Sequence, residues 1–182
     1  MEVKYIILII VGIILLIIIC NYINTLNSLK KLSLKVDEAL SGIDVALSKR
    51  YNVLSKMMET VKGYTKYEKE VLFKTIEMRS NMNLSELKNA KNDMDENINQ
   101  INMIIEKYPD LKANENFLAL QKAIIDAEEH LQAARRLYNS NTSLYNEKVI
   151  TFPSLIVAKI HHFKLNEYFE IEEKEKNIKI NL

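Results

Sequence analysis

The chain opens on a run that has no polar face. From Tyr5 to Ile23 apolar residues follow one another without a charge, and only Gly12, Cys20, Asn21 and Tyr22 interrupt the Ile, Leu and Val. Such a run is about 19 residues long, roughly 28 Å of α-helix, which matches the hydrocarbon core of a bilayer. It predicts a transmembrane anchor over residues 1–23. The pattern then becomes one-sided. Leu29, Leu32, Val36, Leu40, Ile43, Leu47, Leu54, Met58 and Val61 recur at spacings of three, four or seven, with Tyr51 filling the gap. That is the apolar stripe of an amphipathic helix. It starts almost where the anchor ends, so the anchor is expected to run into it, with residues 24–30 as the place for any bend.

A second arm is predicted over 67–107. Val71, Leu72 and Ile76 lead into Leu87, Met94, Ile98, Ile101 and Ile105, with a kink or break near 80–85. Asn83 followed by Glu86 resembles a capping box. Tyr108-Pro109-Asp110-Leu111 is the clearest turn, because Pro109 cannot continue a helix and pushes Tyr108 out of helical geometry. The third arm carries the cleanest heptad: Phe117, Leu120, Ile124, Ala127, Leu131, Ala134, Tyr138 and Tyr145. Thr151-Phe152-Pro153 stops it. Pro153 is placed as the first residue of a short final helix, with Leu155, Ile156, Ile160 and Phe163 apolar. The charged stretch from Glu170 is expected to fray.

The fold class read from this pattern is all-α: an N-terminal transmembrane helix followed by a long antiparallel bundle of three to four helices. Residues 1–23 form the anchor, 24–169 the bundle and 170–182 the tail. The proline turns favour hairpins within one chain over a coiled coil between chains.

Composition supports this and narrows the function. Three Gly, two Pro and no Trp imply few turns and long elements. The run is too long for a signal peptide, and Asn21-Tyr22-Ile23-Asn24-Thr25 offers no small-residue cleavage site. Ile18-Ile19 before Cys20 do not suit a lipoprotein site. Lys30, Lys31 and Lys35 follow the run and Lys4 alone precedes it, so the bundle is expected in the cytoplasm. Net charge is +1, which gives no field for nucleic acid. Lys49-Arg50 and Arg135-Arg136 are too small to change that.

Catalysis is not expected. His130, His161 and His162 each lack the Glu three residues earlier that a di-iron bundle uses. His130, beside Glu128 and Glu129, reads as a solvated face. Glycines stand only at 12, 42 and 63, which excludes a phosphate loop. No metal, cofactor or small-molecule substrate is expected. Asp44, Arg50, Asn52, Glu59, Lys62, Arg135, Asn139 and Asn146 are the polar residues singled out. They read either as a recognition surface or as solvated or buried pairs that fix helix register. Other single Asn residues are set aside, since an Ile-, Lys- and Asn-rich composition supplies them freely.

Ile43-Asp44-Val45, Arg50-Tyr51-Asn52 and Glu59-Thr60-Val61-Lys62-Gly63-Tyr64 are followed in order by Tyr108-Pro109-Asp110-Leu111-Lys112-Ala113-Asn114, Phe117 and Leu120-Gln121. Ala134-Arg135, Tyr138-Asn139, Tyr145-Asn146 and Phe152-Pro153 come next. Together these resemble the signature of the LemA family over roughly residues 40 to 170. The match departs from the family at Ser55-Lys56-Met57-Met58, around Met78-Arg79, and at His162, where the family usually has Gly. The resemblance implies a bacterial inner- or plasma-membrane protein with a long helical bundle, and no catalytic residue to carry over.

The function expected is therefore a single-pass protein, held in the bilayer through residues 5–23, whose bundle binds or organises unidentified protein partners. The alternative is a homo-oligomer that self-assembles under the membrane. A metal-binding or enzymatic bundle is the remote third.

Overall fold

The computed structural model describes residues 2–64, 73–79 and 82–169. Among these are five helices and no strand: α1 (Glu2–Tyr64), α2 (Leu84–Ile105), α3 (Pro109–Lys112), α4 (Glu115–Ile150) and α5 (Ser154–Ile160). Val71, Leu72, Ser80, Asn81 and the expected tail lie outside the described residues.

The predicted anchor and the first bundle helix are one element. α1 runs for 63 residues without a break at 24–30. No proline interrupts it, and its glycines are single. Its character changes along its length. Every residue from Val3 to Asn21 is exposed, whereas from Leu29 onward one face is buried. A helix that is apolar all round has nothing to gain from water, and the run is long and apolar enough to cross a membrane.

The chain forms two compact units, each using part of α1 and part of α4. The first comprises residues up to Glu38 with Asn139–Tyr168, so α5 belongs to it. Here α4 runs antiparallel to α1: Asn141 donates to the Lys35 carbonyl at 3.1 Å, while Tyr22 meets His161. Leu29, Val36, Tyr145, Val149 and Val157 are buried in it. The second comprises Ala39–Tyr138 and Phe169 and contains α2 and α3. Its core is Ile43, Leu47, Leu54, Met57 and Val61 of α1, Leu87, Met94 and Ile101 of α2, and Phe117, Ile124 and Leu131 of α4.

The expected helix starts take definite form. Asn83 and Glu86 make the full capping box: Asn83 Oδ1 accepts from the Glu86 amide at 3.0 Å, and Glu86 Oε2 accepts from the Asn83 amide at 2.8 Å. Two otherwise orphaned donors are thereby satisfied. Arg79 also pairs with Glu86. The Tyr108-Pro109 turn is itself a single helical turn, α3, with Pro109 leading it. Asn114 caps α4, its Oδ1 accepting from the Phe117 amide at 3.1 Å.

Three expectations are corrected. Residues 73–79 are irregular rather than part of a helical arm over 67–107. The physical reason is a competing partner: Asn97 takes both the N–H and the C=O of Lys74, which a helix would need. Pro153 caps α5 rather than starting it, and the helix begins at Ser154. The apolar stripe of α1 also turns by one residue: Arg50 and Met57 are buried, whereas Tyr51 and Met58 are only half-buried. Positions 43, 47, 50, 54, 57 and 61 step by four and three, so Arg50 occupies a core position.

α5 ends in a left-handed turn. His162 has φ 56°, the Phe163 amide donates to the Ala158 carbonyl at 3.0 Å, and the His162 amide donates to Lys159 at 3.2 Å. This is the Schellman arrangement, in which glycine is the usual residue at the left-handed position. The departure at His162 noted in the sequence therefore has a backbone meaning.

Candidate functional site

Within the second unit the buried polar groups gather at Arg50. Its side chain is 6% exposed, and Nη2 donates to Asp95 Oδ1 at 2.6 Å. Glu128 Oε2 lies 3.0 Å from the same nitrogen as an ion pair, without hydrogen-bond geometry. Lys91, one turn before Asp95 on α2, donates to Asp95 Oδ2 at 2.7 Å. Gln132 donates to the other Glu128 oxygen at 2.9 Å. Two cations and two carboxylates from α1, α2 and α4 thus neutralise one another. Arg50 Nε and Nη1 have no hydrogen-bond partner among the described residues.

Removing one member of such a cluster leaves another charge uncompensated, which is destabilising. The cluster supplies little chemistry. Both carboxylates are committed to cations, and among the described residues no group of three or more His, Cys, Asp or Glu side chains is placed to hold a metal ion.

Arg135 is handled differently. It is buried, and its guanidinium carbon sits 5.1 Å from the centre of the Phe169 ring. The ring face attracts the cation without neutralising it. Its Nε and Nη1 have no hydrogen-bond partner among the described residues.

The other polar residues singled out in the sequence lie apart from these. Asn52, Glu59 and Lys62 are exposed on α1, with Lys62 Nζ 5.7 Å from the Phe73 ring centre. Asp44 and Asn139 are half-buried, on α1 and α4. Asn146, in the first unit, grips the irregular segment after α5. Its Nδ2 donates to the Asn166 carbonyl and its Oδ1 accepts from the Asn166 amide, both at 2.9 Å. Beside it the Tyr145 hydroxyl donates to the Lys164 carbonyl at 2.9 Å. Burial, and then the nearby Asp37 charge, raise the Tyr145 pKa.

Sequence reasoning missed Lys91, Asp95, Asn97 and Glu128. Glu128 was read with His130 as a solvated face. His130 is exposed, but Glu128 is half-buried and paired. Asn97 falls in the apolar register between Met94 and Ile101 and is fully buried, so its position carried the signal that its residue type concealed.

Known proteins agree with the motif reading. The LemA family model matches residues 39–182. Protein LemA of Metamycoplasma hominis is 31% identical over 143 residues, 76% of this chain, and the chain spans 65% of that relative's length. Magnetosome protein MamQ 1 of Paramagnetospirillum magneticum is 27% identical over 67 residues, 37% of this chain and 25% of its own length. MamQ of Magnetospirillum gryphiswaldense is 27% identical over 66 residues, covering 36% of this chain and 24% of its own length. The family match takes in well over half of the sequence and contains every polar residue of the Arg50 cluster, and on that basis the chain belongs to the LemA family.

Proposed function

We propose that this protein is a single-pass membrane protein of the bacterial cell membrane whose bundle, on the cytoplasmic side, holds partner proteins at the bilayer surface. The observation that carries the reading is the change of character along α1: an apolar stretch exposed on every side continues, in the same helix, into a stretch with a buried face. One helix thus serves both as anchor and as bundle wall. Confinement to a surface raises the effective concentration of the bundle for membrane partners. Asn52 and Glu59, exposed one heptad apart on α1, supply part of the polar recognition face. Lys30, Lys31 and Lys35 after the span against Lys4 before it support the orientation.

The test is crosslinking in living cells from photoreactive residues placed at Asn52 and Glu59, followed by identification of the products. Foreign membrane or cytoplasmic proteins are expected. Products consisting mainly of the chain itself would replace this reading with self-assembly. Orientation is read with Cys20→Ser, Asn52→Cys and a membrane-impermeant thiol reagent: labelling only after lysis is expected, and labelling of intact spheroplasts would place the bundle outside.

A further inference from the structure

The first unit carries an apolar face that its own core does not use. On α5, Ser154, Val157 and Ala158 are buried, while Ile156, Lys159 and Ile160 share the opposite face. Ile156 is 52% exposed, Ile160 56%, and Phe152, just ahead of the helix, 75%. Apolar side chains that the unit's own core does not use are available to an apolar partner.

The position of α5 along α1 names that partner. Tyr22 lies in the last turn of the apolar run, and its hydroxyl is 2.7 Å from His161 Nε2, with the ring centroids 5.9 Å apart. The C-terminal end of α5 is therefore level with the end of the span. At its other end, Phe152, Pro153 and Ser154 line a crevice of about 390 Å³ together with Thr25, Ser28 and Leu32 of α1. At about 1.5 Å of rise per residue, α5 lies within roughly 15 Å of the end of the apolar run. The polar layer of one leaflet is about 5–8 Å deep. Helices that lie in this layer pair apolar side chains with lysine, which meets the headgroups while its stem stays in the apolar zone.

We propose that α5 is a second membrane contact whose C-terminal end reaches the headgroup–acyl boundary of the leaflet from which α1 emerges, with Ile160 deepest, Ile156 next and Phe152 shallowest. The proposal rests on the reading of residues 5–23 as a span. A helix of seven residues would bind a bilayer weakly by itself. Here the span holds it there already, so the contact costs little further entropy. It would set the rotation of α1 about its own axis as well as its depth.

The experiment uses the full chain with Cys20→Ser and one cysteine at a time: Ile160→Cys, Ile156→Cys, Phe152→Cys, Ile13→Cys in the span, and Val45→Cys. Val45 is exposed and stands about 33 Å beyond Ile23 along the helix. Each variant carries an environment-sensitive fluorophore and is placed in phosphatidylcholine–phosphatidylglycerol vesicles containing lipids with a nitroxide near the headgroup or deep in the chain. Ile13 should be quenched by the deep nitroxide. Ile160 should be quenched at least about twofold by the shallow one, Ile156 and Phe152 progressively less, and Val45 not at all. Lys159→Cys, which leaves both isoleucines in place, should behave like Ile156. Quenching at Ile13 with Ile160 and Ile156 indistinguishable from Val45 would overturn the contact and leave the anchor standing. No quenching at Ile13 would overturn the anchor, and the contact with it. A fluorophore at Ile160 shielded from water but unquenched by either lipid would overturn the contact by assigning the face to protein, a second copy included.

Discussion

Two irregular segments are each held against a helix by one asparagine, and their surroundings differ in kind. In the second unit Asn97 takes the amide and carbonyl of Lys74 at 2.8 and 2.9 Å. In the first unit Asn146 does the same to Asn166. The Lys74 clamp sits among charges. Lys74 Nζ pairs with Asp93 at 2.6 Å and Glu96 at 3.2 Å, and Arg50 and Lys91 meet Asp95 two residues before Asn97. The Asn166 clamp is supported by a neutral group, the Tyr145 hydroxyl on Lys164. Asn97 is fully buried, whereas Asn146 is half-buried. The same main-chain contact is therefore embedded once in a charge network and once in a neutral hydrogen-bond pair, and different conditions should open each.

The largest expected effect comes from the charged side. Arg50→Ala leaves Asp95 and Glu128 without their shared cation and should destabilise the second unit by about 3 kcal/mol, read as a lower melting temperature by circular dichroism. A loss no greater than that of Asn52→Ala would show that the cluster contributes nothing. Next come the clamps themselves. Asn97 is fully buried and Asn146 half-buried, so Asn97→Ala should cost about 2 kcal/mol, against roughly 1 kcal/mol for Asn146→Ala. Hydrogen exchange at the Lys74 and Asn166 amides reads each one separately, and equal acceleration would remove the distinction.

Acid should separate the two regions more gently. The Asn83 amide, then Arg79, hold the Glu86 carboxyl below the ordinary glutamate range. A lowered folded pKa gives stability that is complete above the ordinary value and lost as pH falls through the lowered one. The Asn83 amide should lose protection over that window while the Asn166 amide keeps it. Simultaneous loss would mean that the neutral clamp also depends on a carboxylate. The smallest change expected is a gain. His162→Gly relieves a left-handed residue and should stabilise the turn after α5 by about 0.5 kcal/mol. It should slow exchange at Phe163 and leave Lys74 unaffected.

Most of the helical framework was legible because it rests on periodicity and on residues with one strong backbone preference. The apolar run, the heptad through Leu131, the capping box at Asn83 and the stop at Pro109 are all of this kind. The rest depends on partners distant in sequence. Nothing local tells that Arg50, rather than Tyr51, fills the step between Leu47 and Leu54, since Arg50 is held in the core by carboxylates from other helices. Residues 73–79 have an apolar pattern compatible with helix, and an asparagine over twenty positions later diverts their main chain. Asn97 and Asn146 are the same residue type in similar roles, yet only Asn146 stood beside a recognisable motif.

The clamps also bear on how this sequence can drift. Asn97 and Asn146 hold main-chain groups, which every residue type shares apart from the missing N–H of proline. The clamp at Asn166 therefore places no demand on the side chain there beyond excluding proline, and the same is true of the clamp at Lys74, whose own charge is a separate contribution. Substitutions can accumulate along the two gripped segments while their paths stay constant, provided the two asparagines stay. In a chain so rich in asparagine, two positions that look, by composition alone, readily replaceable are thus constrained by the main chain they hold.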